Sequence, residues 1–100
     1  MHYLVFITVV DGRLDLLRDY ERHAREVMRR HGGDVVAVFR PPNAPEQGPH
    51  EVHVLRFADA QGFAAFRADL PRTAGQAAFL ESLQFLELEE VPLDAYFAAD

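Results

Sequence analysis

At 100 residues the chain has room for one domain built round one modest core. Apolar residues make up 49% and charged residues 26%, an ordinary globular mixture, and the net charge of −6 argues against nucleic acid, whose phosphates need a concentrated basic surface. The lack of cysteine excludes disulfides and thiolate chemistry. No apolar run approaches the roughly 20 residues that cross a bilayer, and the stretch ahead of Asp11-Gly12 is too short for a signal peptide. A cytoplasmic protein is expected.

Charge is unevenly placed. Arg13, Arg18, Arg22, Arg25, Arg29 and Arg30 cluster in the first third, whereas the C-terminal third is strongly acidic. These arginines read first as the solvated face of a helix.

Residues 2–10 are almost wholly apolar, β-branched or aromatic on both period-2 faces, which predicts a strand buried on both sides and ended by Asp11-Gly12. A helix is predicted from Arg13 to His31. Leu14, Leu17, Tyr20, Ala24, Val27, Met28 and His31 fall on one stripe. The other side is charged, with Glu21–Arg25 and Glu26–Arg30 spaced for i,i+4 pairing. Gly32 suits a left-handed helix end and Gly33 frees the exit into the next strand.

That strand is predicted over 34–40, with Val35, Ala37 and Phe39 on one face and Val36 and Val38 on the other. The four prolines of Pro41–Pro49 make a stiff hairpin loop. A third strand runs from His50 or Glu51 to Phe57. Asp59 is placed to cap a helix whose Phe63, Phe66 and Leu70 share a face, with Pro71 ending or kinking it. Thr73-Ala74-Gly75-Gln76 has capping-box spacing and predicts a second short helix through Leu80. Leu83–Val91 reads as a fourth strand. The tail from Pro92 keeps Leu93, Tyr96 and Phe97, so it should dock on something.

The order β-α-β-β-α-β is that of the α+β ferredoxin-like plait, a four-stranded antiparallel sheet with both helices on one face. Two helices cover one face only, yet the first two strands are apolar on both. At about 25 cal/mol per Å² of apolar area, the second face favours burial against a second copy, so a homodimer is expected.

A short chain of this order with strands apolar on both faces resembles the dimeric α+β barrel superfamily. Within it, Tyr20 on a helix that ends His31-Gly32-Gly33 before a strand, and the later Phe57-Ala58-Asp59-Ala60 entry into a Phe-bearing helix, are similar to the small, largely uncharacterised DUF1330 family. The chain departs from that family where its second helix would continue into a Ser-Pro-Glu-Tyr-like segment and Asp69–Ala74 stands instead. The wider superfamily includes cofactor-independent monooxygenases, isomerases and haem-degrading enzymes. What the resemblance implies is a fold shared by many chemistries.

Chemistry is read from the side chains. Tyr20 and His23, one turn apart on the inward edge of the first helix, are the candidate catalytic pair, able to orient a substrate and move a proton near neutral pH. His53 and Arg56 on the third strand are candidate ligand-binding residues. Arg56 needs a carboxylate, with Glu87 or Glu89 of the fourth strand as expected partners. His50 and His53 point to opposite faces of a strand, as do Glu89 and Glu90, so neither a metal site nor an acid/base pair is predicted from them. No order of Ser, His and Asp suggests a triad.

Two functions are expected. The first is a homodimer binding an apolar or aromatic small molecule between helix and sheet, with cofactor-independent isomerase or monooxygenase-like chemistry if it is an enzyme. The second is a non-catalytic interaction or regulatory dimer using the acidic fourth strand and apolar tail. Haem, with His23 or His53 as axial ligand, ranks below both.

Overall fold

The computed structural model describes residues 1–10, 12–43, 48–74 and 77–98. The elements are β1 (His2–Val9), α1 (Leu14–Arg30), β2 (Gly33–Phe39), β3 (Glu51–Phe57), α2 (Ala60–Ala74), β4 (Leu80–Leu88) and a short α3 (Leu93–Tyr96). The fold is α+β, with one open antiparallel sheet in the order β2-β3-β1-β4. Among the described residues, no helix is long and apolar enough to cross a membrane.

Alternation along β1 is strict: Tyr3, Val5, Ile7 and Val9 are buried while Leu4, Phe6 and Thr8 are half-buried. The buried set meets Leu55 and Phe57 of β3, Leu17, Ala24, Val27 and Met28 of α1, and Phe66 and Leu70 of α2. Both long helices therefore pack on one face. Phe57 is held edge-on by Tyr3 and Phe63 and tilted against Phe66, so aromatic rings fill the end of the core under α2.

The end of α1 follows the glycine signal. Gly32 has φ +78°, and the His31 and Gly32 N–H groups donate to the Met28 and Arg29 carbonyls. Gly33 has a second role, since a Cβ there would collide with the Phe57 ring. His31 lies 3.0 Å from Asp69 and ties this end of α1 to α2. Asp59 caps α2, accepting from the Gly62 N–H at 2.8 Å.

Several expectations are corrected. Neither predicted i,i+4 pair is among the ion pairs of the described residues. Arg25 and Arg29 both reach Asp34 at the start of β2, and Glu21 turns inward. The pairing of Asp34 with Arg25 is the chief cause that holds the Asp34 carboxyl down at about 2. The helix α2 passes through Pro71 to Ala74, and Ala77–Phe79 lead straight into β4, which begins at Leu80 rather than Leu83. Gly75 and Gln76 of the expected capping box lie outside the described residues, as does part of the proline loop.

The alternation expected in β2 is also broken. A bulge between Val35 and Ala37 places Val35 opposite Leu55 but Val38 opposite His53, both on the helix side of β3. Ala37 and Phe39 pair with Val54 and Val52 on the far face instead. Bulges re-aim side chains at sheet edges, and this one turns an edge strand towards β3's buried histidine.

Candidate functional site

The strand β3 reads Glu51-Val52-His53-Val54-Leu55-Arg56-Phe57, and its period of two sends Glu51, His53, Leu55 and Phe57 to the helix side. Leu55 and Phe57 anchor that face in the core, so the carboxylate and imidazole are buried with them, at 2% and 4% exposure. Above them runs α1. Glu21 lies on the same arc as Leu17, Ala24 and Met28, at spacings of three and four, and therefore faces the sheet.

These three residues form one polar cluster. His53 Nε2 is 2.7 Å from Glu51 Oε1 and 3.3 Å from Glu21 Oε1, while Arg40 Nε donates to Glu51 Oε2 at 2.6 Å. The imidazole has one proton on Nε2 to give, and Glu51 stands in the better position to take it. Glu21 Oε1 is left buried without a hydrogen bond. A buried polar atom in that state is costly unless it carries or receives a proton.

Electrostatics separate the two carboxyl groups. Burial pushes the Glu21 carboxyl above its ordinary value, with His53 pulling it back and Glu51 adding to the rise. Burial also disfavours the charge on Glu51, but its contacts with Glu21, His53 and Arg40 outweigh that and hold it low. For His53 burial lowers the pKa, yet the two carboxylates prevail and raise it. The result is a fixed anion, a histidine inclined to be cationic, and a second carboxyl that readily holds a proton. Two such groups tuned apart are the elements of acid–base chemistry.

One oxygen from each glutamate and a nitrogen of His53 also lie within 4.8 Å of one another, a donor set that a divalent cation could use. The guanidinium of Arg40 already sits on Glu51 and weakens that use. The cluster was not foreseen from the sequence as a metal or acid–base site.

Two spaces meet at the cluster. Inside lies an apolar cavity of about 40 Å³, walled by Tyr20, Phe66, Leu83 and Phe85 among others, with room for a few waters but not for an organic ligand. Outside lies an open groove of about 400 Å³ between α1 and β2, with Glu21 and His53 in its lining. The arginines Arg18, Arg22 and Arg25 border it on the helix side and Val36 and Val38 on the strand side.

Of the residues singled out from sequence, His53 is in this cluster. Tyr20 is half-buried, meets Phe79 edge-on and shares the small cavity with His53, its hydroxyl pKa raised by burial. His23 is exposed on the outer side of α1. Arg56 is exposed on the far face of the sheet, opposite His2 and Asp34 in the ladders. Its expected pairing is corrected: Glu87 is paired with Tyr3 and so belongs to the helix side, and Glu89 follows the end of β4. His50 precedes β3 and accepts the Val9 N–H on Nδ1 at 3.0 Å, a structural role.

The chain is similar in structure to protein Atu4242 from Agrobacterium tumefaciens, at 21% identity over 93% of this chain and 96% of that one, with a TM-score of 0.57. It is also similar to RPA0582, a protein of unknown function from Rhodopseudomonas palustris, at 15% identity over 91% of this chain and 82% of that one, with a TM-score of 0.60. At these identities the likeness shows the fold alone. No family model matches the chain, and no curated protein matches it.

Proposed function

We propose that the protein is a small homodimeric enzyme that transfers a proton to or from a small, largely apolar molecule, without an organic cofactor. The observation that carries this reading is the buried Glu21–His53–Glu51 cluster, with an orphan carboxylate oxygen and an open groove at its edge. Glu21 is the acid–base residue that meets the substrate. His53 exchanges its Nε2 proton with it, and Glu51, fixed by Arg40 beside the same nitrogen, supports the charge of the imidazolium. Reactions of this class are isomerisation or proton abstraction beside a carbonyl group.

Incubation in D2O with a panel of small ketones and keto acids, followed by NMR, tests the class. Deuterium incorporation above the buffer rate is expected for at least one compound. Glu21→Gln and His53→Gln should each lower that rate by about 10²-fold or more. An absence of exchange across the panel, or exchange indifferent to both substitutions, contradicts the proposal.

The same reading takes the fold as a ferredoxin-like plait of the dimeric α+β barrel kind, related to DUF1330. Its support is the far face of the sheet. There Leu4, Phe6, Val52 and Val54 are only half-buried, and Phe39 and Leu86 are exposed. Such a patch favours self-association. Native mass spectrometry at micromolar concentration should give twice the chain mass, and a clean monomer would remove the dimer from the proposal.

A second reading, an interaction or regulatory dimer, draws on the tail. Tyr96 and Phe97 are 68% and 72% exposed, and Val91 and Leu93 are also exposed, so the tail does not fold back over its own sheet. The radius of gyration, 15.1 Å, exceeds the roughly 13 Å usual for 100 residues, as a projecting arm would make it.

A further inference from the structure

We infer that the α1–β2 groove binds a small carboxylic acid with an apolar body, its carboxylate held by Arg18 and Arg22 and its hydrocarbon part laid along Val36 and Val38. The inference rests on the proposed proton-transfer site, since Glu21 and His53 line the same groove, and it specifies the substrate class that site would take.

Charge is the first support. The protein carries a net charge of −6, yet α1 concentrates arginines, and three of them border this one groove. They differ in what already occupies them. Arg25 is committed to Asp34 through two hydrogen bonds of 2.7 and 3.2 Å. Arg22 has only a 3.4 Å contact with the exposed Asp19. Arg18 makes no ion pair among the described residues. A positive rim on an acidic protein attracts anions, and guanidinium forks match carboxylates in geometry.

The opposite wall is the second support. Val36 and Val38 are 54% and 49% exposed on an edge strand, where charged side chains or prolines usually discourage aggregation. The bulge at Val36 shifts the register so that Val38 stands opposite His53. The groove thus offers cations on one wall, hydrocarbon on the other and proton-transfer groups in its lining. Its volume of about 400 Å³ falls within the range of small-molecule sites. A neutral apolar molecule would leave the arginine rim unused, and a small inorganic anion would leave the valines unused.

The test uses 3-phenylpropanoate and its neutral isostere 3-phenylpropanamide as probes in ¹H–¹⁵N NMR titrations of the full chain. The acid should shift the amides of residues 35–38, and should bind about tenfold or more tightly than the amide, as loss of a charge-assisted hydrogen bond implies. The double substitution Arg18→Gln with Arg22→Gln should erase that preference. Both positions are exposed on α1, and unchanged shifts elsewhere in the spectrum would report an intact fold. Equal binding of acid and amide, retention of the preference in the double variant, or no response of β2 to the acid would each overturn the inference. None of these outcomes touches the titration of His53, on which the proton-transfer reading stands separately.

Discussion

Glu51→Ala is expected to lower the free energy of unfolding by about 3 kcal/mol near pH 6, measured by urea denaturation. Glu51 is 2% exposed and accepts from both Arg40 and His53. Its removal has unequal effects on the two partners. The guanidinium of Arg40 is mostly in solvent and rehydrates, but the His53 ring stays buried and loses its better acceptor. Glu21, 3.3 Å from the ring, compensates in part and keeps the loss at the lower end of the range for a broken buried pair.

The pH dependence follows from the directions of the shifts. The pKa of Glu51 is depressed on folding, so its stabilisation is present above the unfolded carboxylate value and fades as pH falls through the folded one. The pKa of His53 is raised, so its stabilisation is full below about pH 6.5, the unfolded value, and fades as pH rises through the folded one. The gap between wild type and variant should therefore be widest in the mildly acidic window and narrow at both extremes. A gap independent of pH would mean that Glu51 acts by packing alone.

Gly33→Val is expected to cost about 3 kcal/mol or more in the same assay, at the upper end of overpacking effects. Any Cβ at this position runs into the Phe57 ring, which is 1% exposed and fixed by Tyr3, Phe63 and Phe66. The neighbouring Gly32 gives the contrast. Its Cβ would meet only Ala58 at 3.9 Å, so Gly32→Ala should cost about 1 kcal/mol, from its positive φ alone. Equal costs at the two glycines would show that backbone conformation, not the aromatic core, governs this turn.

That pair of glycines marks what the sequence could and could not disclose. A helix stripe followed by Gly32 states a helix end, because the reason is local. The reason for Gly33 lies in a ring 24 positions away and has no local signature. The same division runs through the site. The element order and the cap at Asp59 were legible from period and turn chemistry, whereas β1, apolar on both faces and expected to be buried on both, did not disclose that the helices bury only the Tyr3–Val9 face. The bulge in β2 was not, because a run of apolar residues reads equally well in either register, and the exposed valines of the groove depend on it.

Glu21 could have been found. It lies on the arc of Leu17, Ala24 and Met28, and the i,i+4 spacing to Arg25 masks this, although Arg25 serves Asp34 instead. Likewise Glu51 and His53 alternate with Leu55 and Phe57, a pattern that sends a carboxylate and an imidazole to one buried face. The spacing of His50 and His53 draws attention first, and the Glu51–His53 alternation beside it carries the site. Strand parity also separates Arg56 from Glu87, a relation that appears only once β1 is known to lie between β3 and β4.

The most direct test of the Glu21–His53–Glu51 site is the titration of the His53 ring nitrogens by ¹⁵N NMR, in the wild type and in Glu51→Gln. The midpoint should lie above the ordinary histidine value of about 6.5 and fall when Glu51 loses its charge. A midpoint at or below that value, or one unmoved by Glu51→Gln, would mean that His53 is an ordinary core histidine and that no proton is shared in this cluster.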